Sequence, residues 1–158
     1  MKPPSGTATI FNCFATAVVA AAMSSSVLAG TSNSLMDISS DGALLACSNR
    51  DSGTITFVDL AKNKVLREVK VGHHPEGVSF VGQSHEIAVA VYDDDSIVFV
   101  DGDSGKSRAT VSVFDEPYGI VSTNDGSRIY VTLEYPGQVV EIDSQTAEIT
   151  RTFPAGAF

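Results

Sequence analysis

"ITFVDLA" at 55–61, "IVFVDGD" at 97–103 and "VVEIDSQ" at 139–145 are one phrase written three times, 42 residues apart. A fixed period of roughly 20–50 residues marks a repeat architecture, in which one supersecondary unit stacks on copies of itself because no copy can bury its apolar face alone. The offset holds at other columns without a gap. Asp59, Asp101 and Asp143 coincide, as do Leu45, Ile87 and Ile129, and Met36, Val78 and Ile120. "PEG" at 75–77 matches "PYG" at 117–119, and Asp41-Gly42 matches Asp125-Gly126, with Gln83-Ser84 as the divergent middle copy.

Inside each unit, four short segments alternate apolar and polar residues or run apolar, and turn-forming residues separate them. In the middle unit they are "GVSFV" (77–81), "EIAVAVY" (86–92), "SIVFVD" (96–101) and "RATVSVF" (108–114). Between them lie "GQSH", "DDD" and "GDSGK", rich in turn formers. No helical spacing occurs beyond the amino terminus. The reading is therefore all-β: blades of four antiparallel strands, the repeating unit of a β-propeller, with about three blades present at 36–77, 78–119 and 120–158.

The recurring residues have structural reasons. Asp-Gly after the first strand supplies a positive-φ position. Pro75 and Pro117 enter a strand where no ladder donor is needed. Asp59, Asp101 and Asp143 end the third strand, where a carboxylate caps turn amides.

The third unit, "NDGSRIYVTLEYPGQVVEIDSQTAEITRTF", resembles the YVTN-type β-propeller repeat. "IYVT" at 129–132, "VVEID" at 139–143 and "VGHHPEG" at 71–77 carry the match, which covers residues 36–158. "LLACSN" (44–49) and "IAVAVY" (87–92) depart from the "YVTN" strand, so those two units are diverged copies. The resemblance implies the repeat and no particular activity.

Ten basic against nineteen acidic residues give a net charge of −9, which repels nucleic acid and anionic lipid surfaces; nucleic-acid partners are excluded on this ground. With 43% hydrophobic residues the chain can bury a core. Residues 1–29 differ in kind: Lys2 is their only charge, and Ile10 to Ala22 is a nearly unbroken apolar run, shorter than the roughly 20 residues that span a bilayer. Val27 and Ala29 stand at −3 and −1 of a signal-peptidase cut before Gly30. Residues 1–29 read as a secretory signal peptide, 30–158 as the partial propeller, and the expected location is the periplasm or beyond, with no stable membrane span after cleavage. Cys47 is the one cysteine left; it cannot form an internal disulfide, and its column mates Val89 and Val131 predict a small buried hydrophobe.

Propellers close with roughly 4–8 blades. Three units of 42 counted from Met36 pass the last residue, Phe158, so the sequence reads as an incomplete propeller, an N-terminal piece of something longer, or a chain whose copies complete a ring by self-association.

In a four-stranded meander the loops after strands two and four share one end. That end holds His73, His74, Glu76, Asp115, Glu116 and Tyr118, beside Arg50, Asp51, Asp93, Asp94, Asp95, Glu134 and Tyr135. The first six are the candidate site for a protein or small-molecule ligand. Adjacent histidines on a strand-like segment point apart, so His73 and His74 are not expected to share a metal. Asp93-Asp94-Asp95 aligns with "DSG" and "YPG" and predicts a tight turn; His85, in the column of Ala43 and Ser127, is expected to be exposed.

Other motifs fail. "GKS" at 105–107 lacks the upstream glycine of a phosphate loop, where Val100 stands, and "DGDSGK" has Lys106 and Ser112 where a calcium loop needs glycine and glutamate. There is no C-x-x-C-H, H-E-x-x-H or G-x-S-x-G. No cofactor, metal or catalytic residue is assigned. The leading expectation is an exported, non-catalytic binding module. Proteins similar to this one imply two alternatives, a propeller that accompanies cytochrome c or quinoprotein partners in a redox system, and a lactonase-like hydrolase.

Overall fold

The structure, a computed structural model, describes residues 32–156. The segment read as a signal peptide lies outside the described residues, as do the last two positions. The first sheet joins β1 (Asn33–Ile38), β2 (Leu44–Asn49), β3 (Thr54–Asp59) and β4 (Lys64–Lys70) in sequence order. The second joins β5 (Pro75–Phe80), β6 (Glu86–Val91), β7 (Ser96–Asp101) and β8 (Ser107–Ser112), and the third β9 (Pro117–Ser122), β10 (Arg128–Leu133), β11 (Gln138–Asp143) and β12 (Glu148–Pro154). Every pairing is antiparallel. These are the expected four-stranded blades, and three of them leave the ring open.

Each sheet starts three residues before the Met36 column used to phase the repeat. Pro75–Gly77 therefore open the second sheet instead of closing the first. The sequence period sets the length of a unit, whereas its phase depends on where the chain crosses between sheets. Among the described residues the one helical element is a single 3-10 turn over Tyr92–Asp94, ended by Asp95 in the left-handed region at φ 47°.

Because strand residues alternate sides, each blade has two faces, and blade 2 packs an apolar cluster on both. Leu44, Ala46, Ile55 and Phe57 of blade 1 meet Val78, Phe80, Ile87, Val89 and Val98 of blade 2. The far side of blade 2, with Ala88, Ala90, Ile97 and Phe99, meets Ile120, Ile129, Val131, Leu133 and Val140 of blade 3. Phe57 and Phe99, one period apart, are both fully buried and anchor the two junctions. Burying one such side chain contributes about 1.5–3 kcal/mol. In blade 3 the same column holds Glu141. The innermost strands β1, β5 and β9 lie side by side, nearest the axis around which the blades turn.

The turn chemistry repeats with the period. Asp41 Oδ1 accepts Ser39 Oγ at 2.6 Å and Ala43 N at 3.0 Å, and Asp125 Oδ1 accepts Thr123 Oγ1 at 2.6 Å and Ser127 N at 3.0 Å. These bonds hold both carboxyls near a pKa of about 2, below the usual carboxylate range. Gly42 and Gly126 beside them have φ of 70° and 71°, a conformation any larger residue adopts under strain. Asp59, Asp101 and Asp143 accept amides of Lys62, Ser104 and Thr146 at the ends of the third strands. A bulge falls at one column in all three outer pairs, after Phe57, Phe99 and Glu141. Cys47 is buried at 5% exposure, and burial pushes its thiol pKa up. Among the described residues no helix is long and apolar enough to cross a membrane.

Candidate functional site

The loops after the second and fourth strands carry the candidate residues at one end of the blades, in two groups. At the junction of blades 1 and 2, His73 Nδ1 lies 2.7 Å from Asp94 Oδ1, and the His73 amide donates to Asp94 Oδ2 at 3.0 Å. His74 Nδ1 lies 2.7 Å from Asp93 Oδ2. Together with Asp51, Lys70 and two glycines these residues line a polar cleft of about 180 Å³. Gly72, at φ 149°, makes room for it: a Cβ there would stand 2.2 Å from Asp94 Oδ2.

The segment is a bend and not a strand, with His74 in the left-handed region at φ 49°. The two imidazoles nevertheless go to separate carboxylates. Among the described residues no group of three or more His, Cys, Asp or Glu is arranged to hold a metal ion. The His73 contacts hold the Asp94 carboxyl below its usual range. With Nδ1 engaged on each ring, Nε2 is the atom each histidine has left for a ligand, and His73 keeps 74% of its side chain exposed.

Glu76 follows two residues on, but faces the blade junction. Its side chain is 5% exposed, lies 2.6 Å from Arg50 Nε, and accepts the Ser34 hydroxyl at 2.7 Å. Ser48 Oγ donates to the Glu76 carbonyl at 2.7 Å. Its carboxylate is thus built into the contact between blades 1 and 2.

The second group sits where blade 2 meets blade 3. Tyr92 and Tyr118 stand edge to face with centroids 6.5 Å apart, and the Tyr92 hydroxyl donates to Glu134 at 3.2 Å. Burial, with the Glu116 and Glu134 carboxylates nearby, pushes the Tyr92 pKa up to about 12. Glu116 is in the left-handed region at φ 46°; its amide donates to Asp95 at 3.1 Å and its carbonyl accepts the Glu134 amide at 3.0 Å. Asp115 is half-buried and Tyr118 exposed at 40%. Tyr92 is the member that sequence reasoning passed over. Its column runs Arg50, Tyr92, Glu134, and the partner column Glu76, Tyr118, so the two columns meet at successive junctions with different chemistry.

His85, at the opposite end, is not simply exposed. It bridges Asp41 at 3.0 Å and Asp103 at 2.9 Å, tying blade 1 to blade 2, with 27% of its side chain accessible. Asp103 and Asp41 raise its pKa. Its column mates, Ala43 and Ser127, carry no trace of this role, which explains why the column pointed elsewhere.

No family model and no curated protein matches the sequence. Solved structures do match. Hydrazine synthase of Kuenenia stuttgartiensis is similar at 26% identity over 87% of this chain and 40% of that one, with a TM-score of 0.76. U3-55K is similar at 13% identity over 80% and 40% (TM-score 0.70), and Saccharomyces cerevisiae Sqt1 at 12% over 77% and 35% (TM-score 0.66). This chain thus spans about 40% or less of the proteins it resembles in shape. Three open four-stranded antiparallel sheets and these neighbours together make the chain a β-propeller module, incomplete at three blades.

Proposed function

We propose that the chain is an exported, non-catalytic propeller module of the YVTN type that binds a protein or a small polar ligand in the periplasm through its loop end. The observation that carries this reading is the polar cleft between blades 1 and 2, where His73 and His74 are each held at Nδ1 by a carboxylate, which leaves Nε2 for a ligand. Glu116 and Tyr118 extend the same end across the next junction. Loops on a rigid scaffold are where binding residues concentrate. Nε2 atoms flanked by Asp51, Asp93 and Asp94 suit a ligand with both hydrogen-bonding and basic groups.

The test is direct. The immobilised chain is used to capture partners from periplasmic extract, and each retained species is then titrated against the wild type and a His73→Ala/His74→Ala variant. A loss of at least about tenfold in affinity, with an unchanged melting curve, is expected from removing two hydrogen-bonding groups. Equal affinity of both proteins for every retained species counts against the cleft.

A second reading, the propeller part of a redox system, draws on the likeness to hydrazine synthase. It predicts that a c-type cytochrome or a quinoprotein is among the retained species.

A further inference from the structure

The two junctions between blades treat charge differently at their loop ends. Between blades 1 and 2 three bases each have a carboxylate of their own: Arg50 pairs with Glu76, His73 with Asp94 and His74 with Asp93. One period on, the same columns hold no base. Arg50 becomes Tyr92, His73 becomes Asp115 and His74 becomes Glu116, while Glu76, Asp93 and Asp94 become Tyr118, Tyr135 and Pro136. The segments 92–96, 113–118 and 134–138, which meet between blades 2 and 3, contain no Lys, Arg or His.

In place of the ion pairs stand two rings and two acids. Tyr92 and Tyr118 lie with centroids 6.5 Å apart at 86°, so that both ring faces bound one corner. The Tyr92 hydroxyl donates to Glu134 at 3.2 Å, and the Glu116 carboxylate is close to the same hydroxyl. One hydroxyl has one hydrogen, so it satisfies only one of the two. Neither Glu116 nor Glu134 is ion-paired among the described residues. The Glu116 backbone is pinned on both sides, its amide on Asp95 and its carbonyl under the Glu134 amide. Tyr118 and Tyr135 are 40% and 61% exposed, so both rings are open to a ligand.

We propose that this corner binds a quaternary ammonium group, which supplies from outside the positive charge that Arg50 and the two histidines supply within the neighbouring junction. Ring faces attract such a cation through their quadrupole when it lies within about 6 Å of the centroid. Glu116 and Glu134 provide the countercharge. A primary ammonium has three N–H donors to satisfy, which ring faces do poorly, whereas a quaternary one has none. The proposal gives a chemistry to the reading of the loop end as a binding surface, but it stands on residues separate from the His73 and His74 cleft.

The full chain is titrated with choline chloride and followed by tyrosine fluorescence, since the sequence has no tryptophan. Saturation with a Kd of roughly 1 mM or below is expected. Dimethylbutanol, the neutral carbon isostere of choline, and ethanolamine, the primary ammonium, are each expected to bind at least about tenfold more weakly. Tyr118→Leu, which removes one wall, is expected to weaken choline binding at least about tenfold, whereas Tyr118→Phe keeps the ring and stays within about twofold of the wild type. A peptide carrying trimethyllysine, titrated in parallel, distinguishes a protein-borne group from a free one, and saturable binding of either supports the proposal.

A second variant does not depend on how Tyr118→Leu folds. Glu116→Gln/Glu134→Gln keeps both rings and is expected to lose at least about tenfold in choline affinity together with most of its salt dependence. The His73→Ala/His74→Ala variant is expected to bind choline as the wild type does, so the outcome here is read apart from that of the cleft. Absence of saturation with both choline and the peptide overturns the proposal, as does binding of the isostere or of ethanolamine equal to that of choline. Undiminished choline affinity in Tyr118→Leu and in Glu116→Gln/Glu134→Gln, or its loss in His73→Ala/His74→Ala, overturns the assignment to this corner.

Discussion

Blade 2 and blade 3 turn the same sheet face toward the next position in the ring, with opposite fates. Ala88, Ala90, Ile97 and Phe99 are fully buried against blade 3, while Tyr130, Thr132, Val139 and Glu141, one period later, face no further blade among the described residues. The backbone is the same, down to the bulge after Phe99 and after Glu141. A repeat can therefore keep its hydrogen-bond ladder constant and alter what a face does through a few side chains. Phe99 fills a junction dry, whereas Glu141 draws Tyr130, Thr150 and Arg151 into a polar cluster that holds its own pKa near about 2.

The largest expected effect tests this contrast. Phe99→Ala removes a fully buried ring and is expected to cost about 3–5 kcal/mol in urea unfolding. Glu141→Ala, in the same column of the open face, is expected to cost less than half as much. Equal losses would show that the Glu141 cluster stabilises blade 3 as much as Phe99 stabilises its junction, and would break the comparison.

Next comes the pair that distinguishes the two closed junctions. Arg50 and Glu76 join blades 1 and 2 by charge, where Tyr92 and Tyr118 join blades 2 and 3 by ring contact. Glu76→Gln is expected to cost about 2 kcal/mol, because it removes a buried charge that Arg50 and Ser34 both use. Tyr118→Phe, which keeps the ring, is expected to cost under about 0.5 kcal/mol, as surface substitutions do. Denaturant midpoints of the two variants measure the difference.

A smaller effect is the pH dependence of the blade 1 to blade 2 contact. His85 has a raised pKa in the folded chain, so it binds its proton more tightly there than when unfolded. Its contribution is complete below the ordinary histidine value of about 6.5 and is lost as pH rises through the raised folded value. Melting temperatures measured from pH 6 to pH 9 are expected to fall for the wild type by more than for His85→Asn. Asp41, held near about 2, acts in the opposite sense, and its contribution is lost only as pH falls toward that value.

The smallest effect is at the cleft. Asp94→Asn leaves stability within about 1 kcal/mol of the wild type, since the His73 pair is largely exposed. A larger loss would mean that the cleft is structural before it is anything else.

Most of the architecture was readable in advance because strand and turn chemistry are local. Alternation located four strands per unit, Asp-Gly and the third-strand aspartates marked the turns, and Val89 and Val131 foretold a buried Cys47. The site was readable only as a list of loop residues at one end. Nothing in "HHPEG" states that His73 and His74 leave for the cleft while Glu76, two residues on, turns into the junction. His85 was misplaced for a related reason: its partners, Asp41 and Asp103, lie 44 and 18 residues away, and its own column has small or polar neighbours.

The amino-acid sequence by itself determined the period, the strands within it and the side of each strand that is apolar, since these come from spacing along one chain. Only the tertiary structure decided which residues meet across a junction, and so which carboxylate is buried, which histidine ties two blades together and which face is left open. Those outcomes depend on neighbours far apart in sequence yet within hydrogen-bonding distance in space, where one column can hold phenylalanine or glutamate, and another arginine, tyrosine or glutamate, while the sheets keep the same pairing.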